Sequence, residues 1–146
     1  MTDLATFSRL SLADHGLVVI STTRADGTIQ SSLVNAGVLD HPVSGAPVVG
    51  TVLAGRHKLR HLRERPLVTL TTHTGWEWTT VEGTVELAGP DDPLEGVDGE
   101  RLRILLRDIF TAAGGQHDDW DGYDRAMADE RRVAVLVTPT RVYSNG

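Results

Sequence analysis

Short runs of β-branched and apolar residues recur along this chain, and no regular series of long helices separates them. Turn residues such as Ala25-Asp26-Gly27 join neighbouring runs as antiparallel hairpins. Six or seven strands are predicted, over residues 17–23, 29–34, 47–53, 67–72, 76–87, 133–137 and 141–143. No G-x-G-x-x-G follows a strand, so the pattern disfavours a Rossmann fold. It favours a mainly β fold of the α+β class, a closed or half-open barrel with helices at its ends.

Three or four helices are expected between these strands. Residues 1–15 place Leu4, Phe7 and Leu10 on one side, and a second helix over 55–65 ends before Pro66. The clearest helix has apolar residues at i, i+3, i+4, i+7 and i+8, namely Leu102, Leu105, Leu106, Ile109 and Phe110. A fourth helix begins at an Asp cap, either Asp118 or Asp119, and carries Trp120, Tyr123 and Met127 along one side.

Length and composition exclude several classes of protein. The 146 residues fit one domain over 1–146, and the absence of cysteine excludes thiol catalysis, zinc–thiolate sites and disulfide frameworks. Neither a secretory signal nor a membrane-spanning apolar run is visible, so a cytoplasmic protein is expected. The net charge of −6 argues against nucleic-acid binding, which depends on neutralising phosphates.

Cations are nevertheless concentrated in one short segment. Ten consecutive positions contain one acidic residue, Glu64, and five basic residues. The basic residues are Arg56, Lys58, Arg60, Arg63 and Arg65. The segment follows a strand and Gly55, so a helix N-terminus with unpaired N–H groups adds to the positive charge. This combination predicts a binding site for a defined anion such as a phosphate. The alternative is a solvated basic helix face.

Other candidate chemistries have weaker support. His57 and His61 have the spacing of a helical metal pair, but Lys58 stands where a metalloprotease has Glu, and no metal site is expected. The hydroxyls of Ser32 and Thr51 could bond a ligand, yet no G-x-S-x-G elbow supports a nucleophile. Trp76 and Trp78 alternate on one predicted strand, which favours a core or a dimer interface.

Several motifs together resemble one family. Residues 55–66 look like the phosphate-binding helix of the flavin/deazaflavin oxidoreductases, which are relatives of pyridoxamine 5′-phosphate oxidase. Residues 26–34 resemble that family's D-G-x-P-x-x-S hairpin, with Ile29 in place of its usual proline. The segment 75–84, with Gly75-Trp76-Glu77-Trp78, is similar to the strand that follows. Residues 117–143 resemble the B-type branch, whose members use the deazaflavin coenzyme F420.

The resemblance implies an FMN-binding-type split β-barrel that forms a homodimer, with one cofactor in each of two grooves at the interface. Matching positions imply that Arg56 and Lys58 hold the cofactor phosphate and that Arg60 assists them or binds the polyglutamate tail. Three further residues, Ser32, Val34 and Thr51, would lie along the ring and linker, and Trp76 would lie near the ring.

The implied activity is hydride transfer from reduced F420 to an electron-poor organic acceptor, such as a quinone, an enone, a tetrapyrrole or a nitroaromatic. The cofactor supplies the difficult chemistry, and the protein supplies orientation, so no catalytic side chain is assigned from the sequence. Two alternatives remain open. One is an FMN-dependent oxidase or reductase of the same fold, and the other is a non-catalytic carrier, sensor or haem-binding relative.

Overall fold

The computed structural model describes residues 3–145, which form six strands and four helices. The strands are β1 (Leu17–Thr23), β2 (Ile29–Asp40), β3 (Pro47–Leu53), β4 (Leu67–Thr74), β5 (Glu77–Ala88) and β6 (Val133–Ser144). The helices are α1 (Ala5–Ala13), α2 (Arg56–Glu64), α3 (Gly99–Ala112) and α4 (Trp120–Asp129). All paired strands are antiparallel and close into one barrel in the order β1-β2-β3-β6-β5-β4. The predicted barrel fold is therefore confirmed.

Two apolar clusters stabilise this arrangement. The first fills the barrel, where Phe7 of α1 and the α2 pair Leu59 and Leu62 join the inward-facing strand residues. The second lies outside the barrel, where the predicted apolar face of α3, including Leu105 and Ile109, packs with α4 against β3 and β6. Because α2 is anchored by its buried leucines, its basic residues are held at a fixed place on the barrel.

Three strands are longer than the sequence predicts, and one of them, β4, ends at Thr74 instead of residue 72. β2 continues to Asp40, because its second half pairs with β3, so the connection between the two predicted strands, 35–46, shrinks to 41–46. β6 is a single strand, although two strands were predicted, over 133–137 and 141–143, with Pro139 between them. A register shift between Glu82 and Gly83 of β5 accommodates the proline, which cannot donate a ladder hydrogen bond and is tolerated at such irregularities.

The turn between β4 and β5 also differs from expectation. Trp76 lies in this turn and is 92% exposed, and β5 begins only at Glu77. β4 continues to Thr74, and Gly75, with a φ of 58°, allows the chain to reverse there, later than predicted. Trp76 and Trp78 therefore do not alternate on one strand, and that prediction was wrong. Trp78 instead packs edge-on against Tyr143, with ring centroids 6.2 Å apart.

The C-terminal end of α3 approaches the barrel closely. A Cβ atom on Gly37 of β2 would collide with the main chain of Ala112, and one on Gly16 would collide with the carbonyl of Ala113. Gly37 is thus required for space, since its φ is not positive. These two contacts fix the end of α3 beside the start of β1 and the middle of β2.

Replacing Gly37 with alanine should destabilise the fold by roughly 1–3 kcal/mol, because the α3 backbone must move away from β2. Gly99→Ala is the matched control, since an added Cβ at this helical position meets nothing within 4 Å. The control should match or exceed the wild-type stability. Urea unfolding measures both variants, and equal midpoints would contradict the close-approach argument.

Candidate functional site

A cavity opens where β2 and β3 separate. Their pairing ends at Ala36 opposite Thr51, so residues 33–35 and 52–54 no longer hydrogen-bond across the ladder. These two segments line a cavity of about 520 Å³. Its other walls come from the α1–β1 turn, α2, the end of α3, α4 and the residue before β6, through His15, Lys58, Ile109, Phe110, Ala113, Gly114, Gly115, Tyr123, Met127 and Arg132.

The hydroxyl of Thr51 closes the end of the β2–β3 ladder. It donates a hydrogen bond of 2.7 Å to the main-chain carbonyl of Asn35. This carbonyl lies just beyond the last residue pair of β2 and β3. Alternate residues of a strand direct their main-chain groups to the same side. Leu33 therefore directs its N–H and C=O towards the gap that β3 leaves, where they can bond a planar polar ligand.

The charge of the cavity differs from that of the whole chain. No Asp or Glu is among its sixteen lining residues, which include the cations Lys58 and Arg132, while the protein carries a net charge of −6. The Nε atom of Arg132 is buried and has no hydrogen-bond partner within residues 3–145, although another nitrogen of the same guanidinium group donates to Glu130 at 3.3 Å. Such an orphaned donor is costly unless a ligand satisfies it. The cavity is therefore suited to an anionic ligand.

The N-terminus of α2 adds to this field. Its cap residue, Gly55, has a φ of 98° and offers no side chain to bond the first helical N–H groups. Ala54 just before it lines the cavity. These uncapped donors and the positive end of the helix dipole favour a phosphate.

The five cations of the basic segment divide into two groups. Arg60 pairs with Glu64 at 3.2 Å, and Arg63 makes two hydrogen bonds to Asp92 at 2.8 and 2.6 Å. Arg65 bonds the main-chain carbonyl of Thr23 and also Glu64. The hydrogen bonds that Arg63 donates to Asp92 raise the pKa of Arg63, while the hydrogen bonds from Arg60 and Arg65 lower the pKa of Glu64.

Arg56 and Lys58, by contrast, make no hydrogen bond or ion pair to any described residue. These two side chains can meet an incoming anion without first breaking an internal contact. The sequence suggested that all five cations could serve a ligand, but carboxylates of the same chain occupy three of them.

The predicted site residues are not all in one place. Val34 and Lys58 line the cavity, and Arg56 and Arg60 lie on the same helix as Lys58. Ser32 lies on the inward-facing side of β2, and its buried Oγ atom has no hydrogen-bond partner within the described residues. Thr51 is buried with its hydroxyl committed to Asn35, and the exposed Trp76 is not among the lining residues.

Sequence reasoning missed the wall formed by α3 and α4. Its aromatic rings pack at centroid distances of 5.1–6.0 Å and belong to Phe110, His117, Trp120 and Tyr123. The hydroxyl of Tyr123 donates to the carbonyl of Leu106 at 3.0 Å, and burial raises the pKa of this phenol. The sequence contained a signal for this wall, since Gly114-Gly115 ends α3 beside aromatic residues, but nothing in it indicated contact with β2.

Ion pairs clamp the two helices of this wall together. Asp124 of α4 accepts hydrogen bonds from Arg107 and Arg103 of α3, which lower the pKa of its carboxyl group. Arg107 also lies over the ring of Trp120, 5.2 Å from its centroid. Both contacts hold α4 against α3 and so keep the cavity wall in position.

Within residues 3–145, no group of three or more His, Asp or Glu side chains is placed to hold a metal ion. In the same range, none of the four helices combines the length and apolar character needed to cross a membrane.

Comparisons with known proteins agree with this architecture. Residues 8–146 match the sequence profile of a family described as pyridoxamine 5′-phosphate oxidase. A conserved hypothetical protein from Mycobacterium tuberculosis is similar in structure, with a TM-score of 0.68 and 17% identity over 99% of this chain and 84% of that one.

Two other solved structures carry informative names. An F420 reductase aligns with a TM-score of 0.58 and 18% identity, over 87% of this chain and 88% of its own. A pyridoxamine 5′-phosphate oxidase-related, FMN-binding protein from Nostoc punctiforme aligns with a TM-score of 0.69 and 10% identity, over 99% and 84%. At these identities the likeness shows a shared fold.

Proposed function

The chain belongs to the pyridoxamine 5′-phosphate oxidase family, and from this premise we propose that it is an F420-dependent oxidoreductase. The observation that carries the proposal is the cavity at the β2–β3 separation, which has cations and no carboxylate among its lining residues. A deazaflavin cofactor has a planar ring and a phosphodiester linkage, and both fit the groups that this cavity offers.

Each part of the cofactor has a proposed partner. Arg56, Lys58 and the uncapped start of α2 bind the phosphate, because these donors have no internal partner. The main chain of Leu33 and the side chain of Val34 lie along the ring edge. Arg60 reaches the polyglutamate tail only by giving up Glu64. Ser32, Thr51 and Trp76 remain proposed ring and linker residues.

When bound, the reduced cofactor supplies a hydride for an electron-poor organic acceptor. The apolar walls formed by Val52, Leu53, Ile109, Phe110 and Met127 exclude water from this transfer. Arg132 adds a cation beyond those that one phosphate needs, and it suits an anionic tail or an anionic substrate.

FMN is the second candidate cofactor. The specific observation in its favour is that Arg63 and Arg65 are engaged by Asp92, Glu64 and Thr23, which leaves Arg56 and Lys58 for one phosphate. The protein from Nostoc punctiforme, which shares this fold, is named an FMN-binding protein, and this also favours FMN as the candidate.

A homodimer is also part of the proposal. Exposed apolar side chains lie on neighbouring strands of the barrel surface, where Val19 pairs directly with Leu33 and where Ile29 and Leu67 are exposed. Leu33 lines the cavity as well, so a second copy seated on this face would complete the cavity wall.

Light scattering at micromolar concentration should give the mass of two chains, and the mass of one chain would contradict this proposal.

Replacing either Arg56 or Lys58 with alanine should weaken F420 binding by about 1.5–3 kcal/mol, because each change removes a charge-assisted contact to the phosphate. Arg141→Ala removes the same charge from an exposed β6 side chain and serves as the matched control. Fluorescence titration measures the affinities, and circular dichroism checks the folds. Wild-type affinity in both variants would mean that the basic helix is a solvated face.

F420 should bind at least tenfold more tightly than FMN. The C-terminal segment 117–143 resembles the F420-using branch, and the Nε atom of Arg132, which has no partner among the described residues, can bond a second anionic group. Titrations with FMN and with F420 of short and long glutamate tails decide between the cofactors. If FMN binds at least as tightly as every F420 form, the protein is better described as an FMN enzyme.

A further inference from the structure

His15 occupies an unusual backbone position at the edge of the cavity. It follows the last turn of α1 and has a φ of 58°, in the left-handed region that L-residues other than glycine rarely adopt. The next residue, Gly16, donates its N–H to the carbonyl of Ser11 at 2.7 Å, which is a Schellman-type helix end. Glycine is the usual residue at the left-handed position of this motif, so histidine is held there at a conformational cost.

The surrounding contacts fix this turn in place. The side-chain amide of Asn35 donates to the main-chain carbonyl of His15 at 2.9 Å. Gly16 packs so closely against the carbonyl of Ala113 that a Cβ atom would not fit. Because Asn35 and Ala113 themselves line the cavity, the backbone of this turn is fixed beside it, and the exposed side chain of His15 lies at the cavity edge.

The imidazole of His15 has no structural task within the described residues. Four other histidines bond neighbouring groups, His41 to Glu86, His61 to Thr22, His73 to Gly75 and His117 to Asp119. His15 and His57 of α2 make no side-chain hydrogen bond there, and of the six histidines only His15 is among the cavity-lining residues. Residues held in sparsely populated backbone conformations are concentrated at functional sites.

Few other groups in the cavity can transfer a proton. From α2, Lys58 faces it as a cation, and Arg132 before β6 does the same. From α4, the hydroxyl of Tyr123 is committed to Leu106. Asp14 precedes His15 on its own turn but is not among the lining residues. Imidazole is the side chain that exchanges a proton near neutral pH.

We propose that His15 is the general acid of this cavity and delivers the proton that accompanies hydride transfer. This inference rests on the proposed function, in which a reduced deazaflavin is the hydride donor and is oxidised by two electrons. With an enone acceptor, a C–H bond of the donor would break and a C–H bond would form at the β-carbon of the enone. The C=C pair would become the new double bond to the carbonyl carbon, and the C=O π pair would move to the oxygen. The imidazolium N–H bond breaks, and its proton joins that oxygen to give an enol. Solvent then reprotonates His15.

Three variants of the full-length protein test this role. His15→Gly removes the imidazole and also relieves the left-handed backbone, so it should raise the melting temperature while it lowers kcat about a hundredfold. His15→Asn removes the proton donor in a residue that tolerates this backbone. Arg131→Gly is the matched control, since Arg131 is the other non-glycine residue with positive φ in residues 3–145, at 51°. It should keep wild-type kcat.

The measurements use reduced F420 with cyclohex-2-en-1-one and menadione as acceptors. Wild-type kcat should decrease at alkaline pH, because a general acid is active only in its protonated form. This alkaline decrease should vanish in both His15 variants, and added imidazole should restore turnover in His15→Gly. Affinity for oxidised F420 should stay within twofold of wild type. The ¹H–¹³C ring signal of His15, assigned by its loss in His15→Asn, should shift when oxidised F420 is added.

Several results would overturn the inference. One is wild-type kcat in both His15 variants, and another is a reduced kcat that keeps its alkaline decrease, which would indicate a structural role. An unmoved His15 ring signal in the presence of bound cofactor would place the imidazole away from the site. If the wild-type protein binds no F420 or reduces neither acceptor, the proposed function itself fails, and the role of His15 fails with it.

Discussion

The separation of β2 from β3 is the feature on which the rest of the site depends. One long strand serves two neighbours, since the first half of β2 pairs with β1 and the second half pairs with β3. A closed barrel normally satisfies all its main-chain groups, so a local separation exposes N–H and C=O groups that need other partners. The hydroxyl of Thr51 satisfies one of these groups at Asn35, and the remainder face a cavity.

Electrostatics then decides what this cavity accepts. Acidic residues outnumber basic ones in the chain, by 20 to 14, yet the lining residues include Lys58 and Arg132 and no carboxylate. In the basic segment, Arg60, Arg63 and Arg65 are engaged in ion pairs with carboxylates of the same chain. The field that a ligand meets is therefore set by the unpaired Lys58 and by Arg132, which also pairs with Glu130, and the total charge of the segment is a poor guide to it.

The cavity also depends on helices that are distant in sequence. α3 ends against Gly16 and Gly37, and this close packing places its last turn and the following glycines beside β2. The carboxylate of Asp124 ties α4 to α3 through Arg103 and Arg107. These contacts join residues from both ends of the chain into one wall, and they also hold the α1–β1 turn that carries His15.

The sequence alone determined the elements, because period-two runs, turn glycines and the apolar stripes of α2 and α3 are local signals. It also located the basic helix and the family resemblance. Only the tertiary structure decided that β2 continues to Asp40, that Pro139 fits within β6 and that Trp76 leaves its strand for a turn. The division of five cations into paired and unpaired groups was likewise decided there. Partners such as Asp92 and Arg63 lie 29 positions apart, and their contact follows from packing, which no local pattern encodes.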